Sequence, residues 1–242
     1  MVAILQIKGL SKSFGGLHAV ADVDFNLDDQ EILGIIGPNG AGKTTLLNLV
    51  TGFLKPDCGT ITFDGKDITS AESDEVARRG IARTFQLVKP FSNLTALDNV
   101  AIGRLYGAGP AKSVKQAREE AEGLLHFVGL GEKKGVMAGN LTLAERRKLE
   151  LARALGAKPR LLLLDEVIAG LNPVETEAAM ETIKKIHGLG IAIAFVEHVM
   201  KAVMELSTRV IVLDAGRKIA EGAPAEVIAN PVVVESYLGG EL

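Results

Sequence analysis

Ile32-Leu33-Gly34-Ile35-Ile36-Gly37-Pro38-Asn39-Gly40-Ala41-Gly42-Lys43-Thr44-Thr45-Leu46-Leu47-Asn48-Leu49-Val50 is the stretch whose reading decides the fold. A short continuous apolar run reads as a buried strand, and the apolar spacing after Thr45 reads as a helix. Between them the octapeptide from Gly37 to Thr44 fits G-x-x-x-x-G-K-[ST]. In that pattern loop N–H groups and the helix N-terminus cradle nucleotide phosphates. Asn39, Gly40, Ala41, Gly42 and Thr45 are the candidate cradle positions. Lys43 is expected to reach the terminal phosphates, and the Thr44 hydroxyl to face magnesium. The implied ligand is a nucleoside triphosphate, with ATP and Mg²⁺ as the cofactors.

Outward from this loop the pattern is α/β. Leu161–Leu164 and Ile191–Val196 are further apolar runs, separated by a helical stretch over Val174–Ile186, which predicts buried parallel strands with crossover helices. Ile4–Ile7, Val23–Leu27 and Thr60–Phe63 alternate as antiparallel strands do, the last followed by the turn Asp64-Gly65. Thr95 to Asp98 and Ser113 to Gln116 match capping boxes, and Leu141–Leu155 has helical periodicity. Tyr106-Gly107-Ala108-Gly109-Pro110 breaks this helical region. Arg209–Asp214 and Lys218–Glu221 predict a last strand pair before a short helix. The expectation is a P-loop nucleotide-binding core with an antiparallel β subdomain and a helical subdomain. As one domain, 1–242, it would have its core at about 1–86 and 156–242 and its helical part at about 87–155.

The chain has 242 residues, 47% of them hydrophobic, enough for a sizeable core. A formal net charge of −3 offers no global field to attract nucleic acid or an anionic membrane. No apolar run reaches the roughly 18–20 residues of a membrane span, and the N-terminus has no signal-peptide pattern, so a cytosolic location is expected. Cys58 is the single cysteine, which leaves neither a disulfide framework nor a thiolate metal site within the chain.

A phosphate cradle only binds; hydrolysis also requires a metal ligand and a group that activates water. Asp165 and Glu166 end the apolar run Leu161–Leu164, at the carboxyl end of a strand where α/β sheets bind ligands. Asp165 is the candidate magnesium ligand, through water, and Glu166 the candidate base. Glu197 and His198 follow Ile191–Val196 at a second strand end, which makes His198 a candidate contact to the γ-phosphate or to the attacking water. A lone histidine would otherwise read as structural, as His18, His126 and His187 do.

Taken in order, these parts resemble the ATP-binding-cassette family of transporter ATPases over essentially the whole chain. The resemblance implies that Phe14 stacks on adenine. Gln86, in Ala82-Arg83-Thr84-Phe85-Gln86, then joins the magnesium site to the helical subdomain. Asp165-Glu166 is the acidic strand end, Ala169-Gly170-Leu171-Asn172 the loop crossing a dimer interface, and His198 the switch histidine. Two departures stand out. Most members read Leu-Ser-Gly-Gly-Gln where this chain has Leu141-Thr142-Leu143-Ala144-Glu145, the element that clasps the ATP of the opposite subunit. Thr142 keeps the hydroxyl, Leu143 and Ala144 replace glycines, and Glu145 adds negative charge. Val167 replaces a common proline.

Within the family, Arg83–Gln86, Gly170–Pro173, Glu197–Met200 and the ending at Asn230-Pro231 and Tyr237-Leu238-Gly239 look most like ATP-binding subunits of branched-chain amino-acid importers. That resemblance implies a second ABC ATPase subunit, separate transmembrane permeases, indirectly a periplasmic or extracellular substrate-binding protein, and a peripheral place on the cytoplasmic face of the membrane. It implies no nucleic acid. Leu87-Val88-Lys89-Pro90-Phe91 is the candidate groove for a cytoplasmic helix of the membrane partner, against packing inside the helical subdomain. The alternatives are the ATPase of lipopolysaccharide export and a soluble cassette acting on nucleic acid. A P-loop small-molecule kinase would leave Gln86, the 141–155 segment and His198 unaccounted for.

Overall fold

The computed structural model describes residues 3–86 and 89–238. Leu87 and Val88 of the candidate groove, and Gly239 of the C-terminal motif, lie outside the described residues. A six-stranded sheet has the order β10(Arg217–Gly222)-β9(Arg209–Asp214)-β3(Ile32–Ile36)-β8(Ala192–Val196)-β7(Leu161–Asp165)-β6(Ile81–Arg83). Its strands run parallel except for β10, which pairs antiparallel with β9. A four-stranded antiparallel sheet has the order β2(Leu17–Asp28)-β1(Ala3–Phe14)-β4(Cys58–Phe63)-β5(Lys66–Asp67).

Because side chains alternate faces along a strand, each central strand feeds two cores. Ile36, Leu162, Leu164, Ile193, Phe195, Val210 and Val212 face one cluster. It is completed by α3(Ala96–Tyr106), α4(Val114–Phe127), α5(Leu143–Gly156), α6(Pro173–His187) and α7(Met200–Leu206). Leu33, Ile35, Leu161, Leu163, Ala194, Val196 and Ile211 face the other, against the antiparallel sheet, α1(Lys43–Val50) and Val76 of α2(Ser73–Arg79). Burial on both faces is the reason these strands read as unbroken apolar runs.

Several elements differ from the sequence reading. β1 and β2 extend well beyond Ile4–Ile7 and Val23–Leu27, and register shifts along their pairing interrupt the alternation that would have revealed their length. Short α2 and β6 were not anticipated, and two short helices, α8(Pro224–Ile228) and α9(Pro231–Leu238), follow β10 rather than one. Thr95 and Ser113 cap α3 and α4 by accepting from the N–H groups of Asp98 and Gln116. The return half of each box is not made: the Thr95 hydroxyl donates to Asp98, and Gln116 accepts from Lys112 N.

Candidate active site

β3 delivers the chain into the phosphate loop, and the loop closes where only glycine fits. Gly37 has φ 150° and a Cβ there would lie 2.0 Å from the Leu213 carbonyl oxygen. Gly42 caps α1 at φ 98°, with a hypothetical Cβ 2.1 Å from the Ala19 oxygen on β2. These approaches hold the loop against β9 and the β1–β2 hairpin. The first turn of α1 carries no side-chain cap and no acidic residue, so its N–H groups are left for an anion. Lys43, nearly buried, folds back to donate to the carbonyls of Gly37 at 2.7 Å and Pro38 at 2.8 Å. Burial pulls its pKa down, and the charges of Glu166 and Asp165 oppose that.

The two strand-end carboxylates have different surroundings. Asp165 is buried at the end of β7, and its Oδ2 accepts from Arg83 Nη2 at 2.7 Å. Its Oδ1 is buried with no partner, which suits an incoming cation. Among the described residues no three His, Cys, Asp or Glu side chains form a metal cage by themselves. That fits magnesium, which binds through one or two carboxylates plus substrate phosphates. Thr44 lines the same cavity as Asp165.

Glu166 has φ 52°, a conformation that non-glycine residues adopt at a cost and that clusters at functional sites. Its N–H donates to Val196 O at 2.9 Å, which ties the ends of β7 and β8 together. Gln86 Nε2 donates to Oε2 at 2.7 Å, and His198 Nε2 donates to Oε1 at 2.8 Å. Both carboxylate oxygens are therefore held by residues the sequence reading had assigned to coupling and switching. Beside them, Glu197 is buried, and desolvation pushes its pKa up; its Oε1 accepts from Ile168 N at 2.7 Å, fixing the loop after Glu166.

Phe14 ends β1 with its ring half exposed and the Lys12 ammonium 5.8 Å from its centroid, on the hairpin that flanks the loop. Thr142 sits apart from this cluster as the exposed cap of α5. Asn172 caps α6 in the same way, its Oδ1 accepting from Glu175 N. A cavity of about 730 Å³ opens from Thr44, Asp165 and Gln86 towards the exposed rings of Phe91 and Tyr106, so the described part of the 87–91 stretch does border a groove. Three residues to which the sequence reading gave no role of their own join the site: Arg83, Asn48 and Glu150. Their only sequence signal is polarity inside or beside apolar runs.

The ABC transporter family profile matches residues 20–169, and a branched-chain amino acid ATP-binding cassette transporter profile matches residues 217–242. The chain is 39% identical to the high-affinity branched-chain amino acid transport ATP-binding protein BraF of Pseudomonas aeruginosa, covering 98% of each. It is also 39% identical to LivG of Escherichia coli K12, of the same description, again over 98% of each. The ADP conformation of MJ1267, an ATP-binding cassette of an ABC transporter, superposes with a TM-score of 0.89 at 32% identity, over 99% of this chain and 100% of that one. A dimeric post-hydrolysis state of the cassette MJ0796 bound to ADP and Pi superposes with a TM-score of 0.82 at 25% identity, over 91% of this chain and 98% of that one. Likeness along nearly the whole length, phosphate loop and acidic strand end included, makes this chain an ATP-hydrolysing cassette that belongs to the ABC transporter family.

Proposed function

We propose that the chain is the energy-coupling ATPase of a branched-chain amino-acid importer, working on the cytoplasmic face of the membrane with a second cassette subunit and separate permeases. The observation that carries the catalytic part is Glu166 at the end of β7, held by Gln86 and His198 beside the phosphate loop. The cargo class rests on the relatives' descriptions, because a fold does not by itself name its cargo. No helix among the described residues is long and apolar enough to cross a membrane, which accords with reliance on separate permeases.

ATP would take the unpaired N–H groups of α1, and Lys43 would exchange two carbonyl partners for phosphate oxygens. Thr44 and the open oxygen of Asp165 would hold magnesium, which when bound offsets charge on the β- and γ-phosphates. Glu166 then accepts a proton from water as the water oxygen bonds to the γ-phosphorus. The bond to the β-phosphate oxygen breaks, giving ADP and inorganic phosphate. Gln86 donates to one Glu166 oxygen, so a movement of Gln86 would change how readily Glu166 takes a proton. Since Gln86 leads into residues 87–155, that helical part is the unit expected to couple hydrolysis to the permeases through the groove beside Phe91. Glu166→Gln keeps the side chain's shape and one of its two accepted hydrogen bonds but removes the base. In the assembled complex ATP should still bind while turnover and leucine uptake fall by about 10²- to 10⁴-fold; near-normal turnover would overturn the assignment.

A further inference from the structure

We propose that Arg83 is a positioning residue for the divalent cation, its guanidinium fork joining Asp165 to Asn48 so that one oxygen of Asp165 stays open. The proposal rests on the reading of Asp165 and Thr44 as cation ligands. Arg83 is the last residue of β6, and its side chain is 4% exposed. Nη2 donates to Asp165 Oδ2 at 2.7 Å and Nη1 donates to Asn48 Oδ1 at 2.6 Å. The two acceptors belong to the two elements that carry the candidate ligands. Asp165 is itself one, and Asn48 lies four residues after Thr44 on the same face of α1.

The division of the fork matters. A guanidinium facing a carboxylate ordinarily takes both oxygens in a bidentate pair. Here Nη1 is taken by Asn48 and Nε has no partner, so a single guanidinium nitrogen meets the carboxylate and Asp165 Oδ1 is left buried and unpartnered. A buried carboxylate oxygen with no donor is costly unless a cation completes it. Arg83 thus offsets the charge of Asp165 through one oxygen, fixes the direction of the other, and sets the spacing of β7 from α1. It also begins the tetrapeptide that ends at Gln86, and its guanidinium lies 5.1 Å from the Phe85 ring centroid, so the Gln86 segment starts from the same anchor. Lysine, with one ammonium, cannot span both acceptors in this fork geometry.

The test measures Mn²⁺ binding to the full-length protein in the presence of ADP by the electron paramagnetic resonance signal of free Mn²⁺. ADP affinity in EDTA is measured alongside. Arg83→Gln should weaken Mn²⁺ by about 10- to 100-fold, the usual cost of losing a partner that orients a metal ligand. Asn48→Ala keeps the ion pair but releases Nη1 and with it the orientation of the guanidinium over Asp165, so Mn²⁺ affinity should fall there too. ADP affinity in EDTA should hold in both, because the loop and Lys43 are untouched; a merely structural role would lower both affinities together. If Arg83→Gln does not fold, Asn48→Ala decides alone. Mn²⁺ affinity that falls in Asp165→Asn but not in the other variants overturns the assignment of Arg83. Mn²⁺ affinity unchanged in Asp165→Asn overturns the underlying ligand reading.

Discussion

Replacing Glu150 with glutamine should stabilise the protein, and increasingly so as pH rises. Glu150 lies on α5, 4% exposed, and its Oε1 accepts from the N–H of Phe85 at 2.9 Å. Its nearest cation, Arg153, stands 3.8 Å away and also donates to Lys89 O. Desolvation outweighs the Phe85 N–H and the charges of Arg153 and Arg147, and pushes the carboxyl from 4.5 up to about 7. With the folded pKa raised, the native protein holds its proton after the unfolded chain has released it. The stabilisation is complete below 4.5 and is lost as pH rises through about 7. A shift of that size corresponds to about 3 kcal/mol at about 1.4 kcal/mol per unit. Glutamine still accepts from Phe85 N–H and has nothing to ionise. Urea unfolding across the pH range should give a Glu150→Gln advantage below about 1 kcal/mol at pH 5 and near 3 kcal/mol at pH 8. In melting temperature that is about 6–12 °C for a chain of this size. An advantage that does not change with pH, or a variant less stable than wild type at pH 8, would refute the burial argument.

Lys43→Ala removes a charged donor to phosphate and should weaken ATP binding by about 10- to 100-fold in a fluorescent-nucleotide titration. Gln86→Ala should bind ATP normally yet lose the stimulation of hydrolysis by the permeases; equal loss of affinity in the two variants would contradict this division. In a reconstituted complex with a different cassette as partner, Glu166→Gln should remove most hydrolysis and the matching change in the partner less. Equal losses, or a larger loss from the partner's change, would rule out unequal sites.

The parts legible in the sequence were those whose physics is local. A strand buried on both faces is a run of apolar residues, a phosphate loop is a glycine pattern, and a helix start is a hydroxyl or amide, so β3, β7, β8, α1 and the caps Thr95 and Ser113 could be read directly. Arg83 could not be. An arginine after two apolar residues looks like a solvated charge until Asn48 and Asp165, 35 and 82 positions away in the chain, are brought to it by folding. The same holds for Gln86 and Glu166, 80 positions apart, and for the positive φ of Glu166, which no pattern of residue types encodes. β6 escaped because three residues cannot display a period.

The altered signature has its own physical logic. Thr142 Oγ1 accepts from Glu145 N, and Glu145 Oε2 accepts from Thr142 N at 2.9 Å, so α5 begins with a reciprocal capping box. Thr142 N–H and the Lys133 ammonium, 3.2 Å from Glu145, hold that carboxyl below its usual range, so it is ionised at neutral pH. A carboxylate on the first turn favours the helix, since it sits at the positive end of the macrodipole. If this helix start faces a partner's phosphate, as the resemblance implies, the same charge would repel it, and the Thr142 N–H is already engaged. At this helix start the N–H groups of Thr142 and Glu145 are taken by the chain's own side chains, and Leu143 projects from it with 58% of its surface exposed. What the helix gains in stability it loses as an electrostatic clasp. The cis groups Lys43, Thr44, Asp165, Glu166 and His198 keep the residue types that the resemblance implies, and that imbalance between the two halves of the molecule is what would make two paired sites unequal.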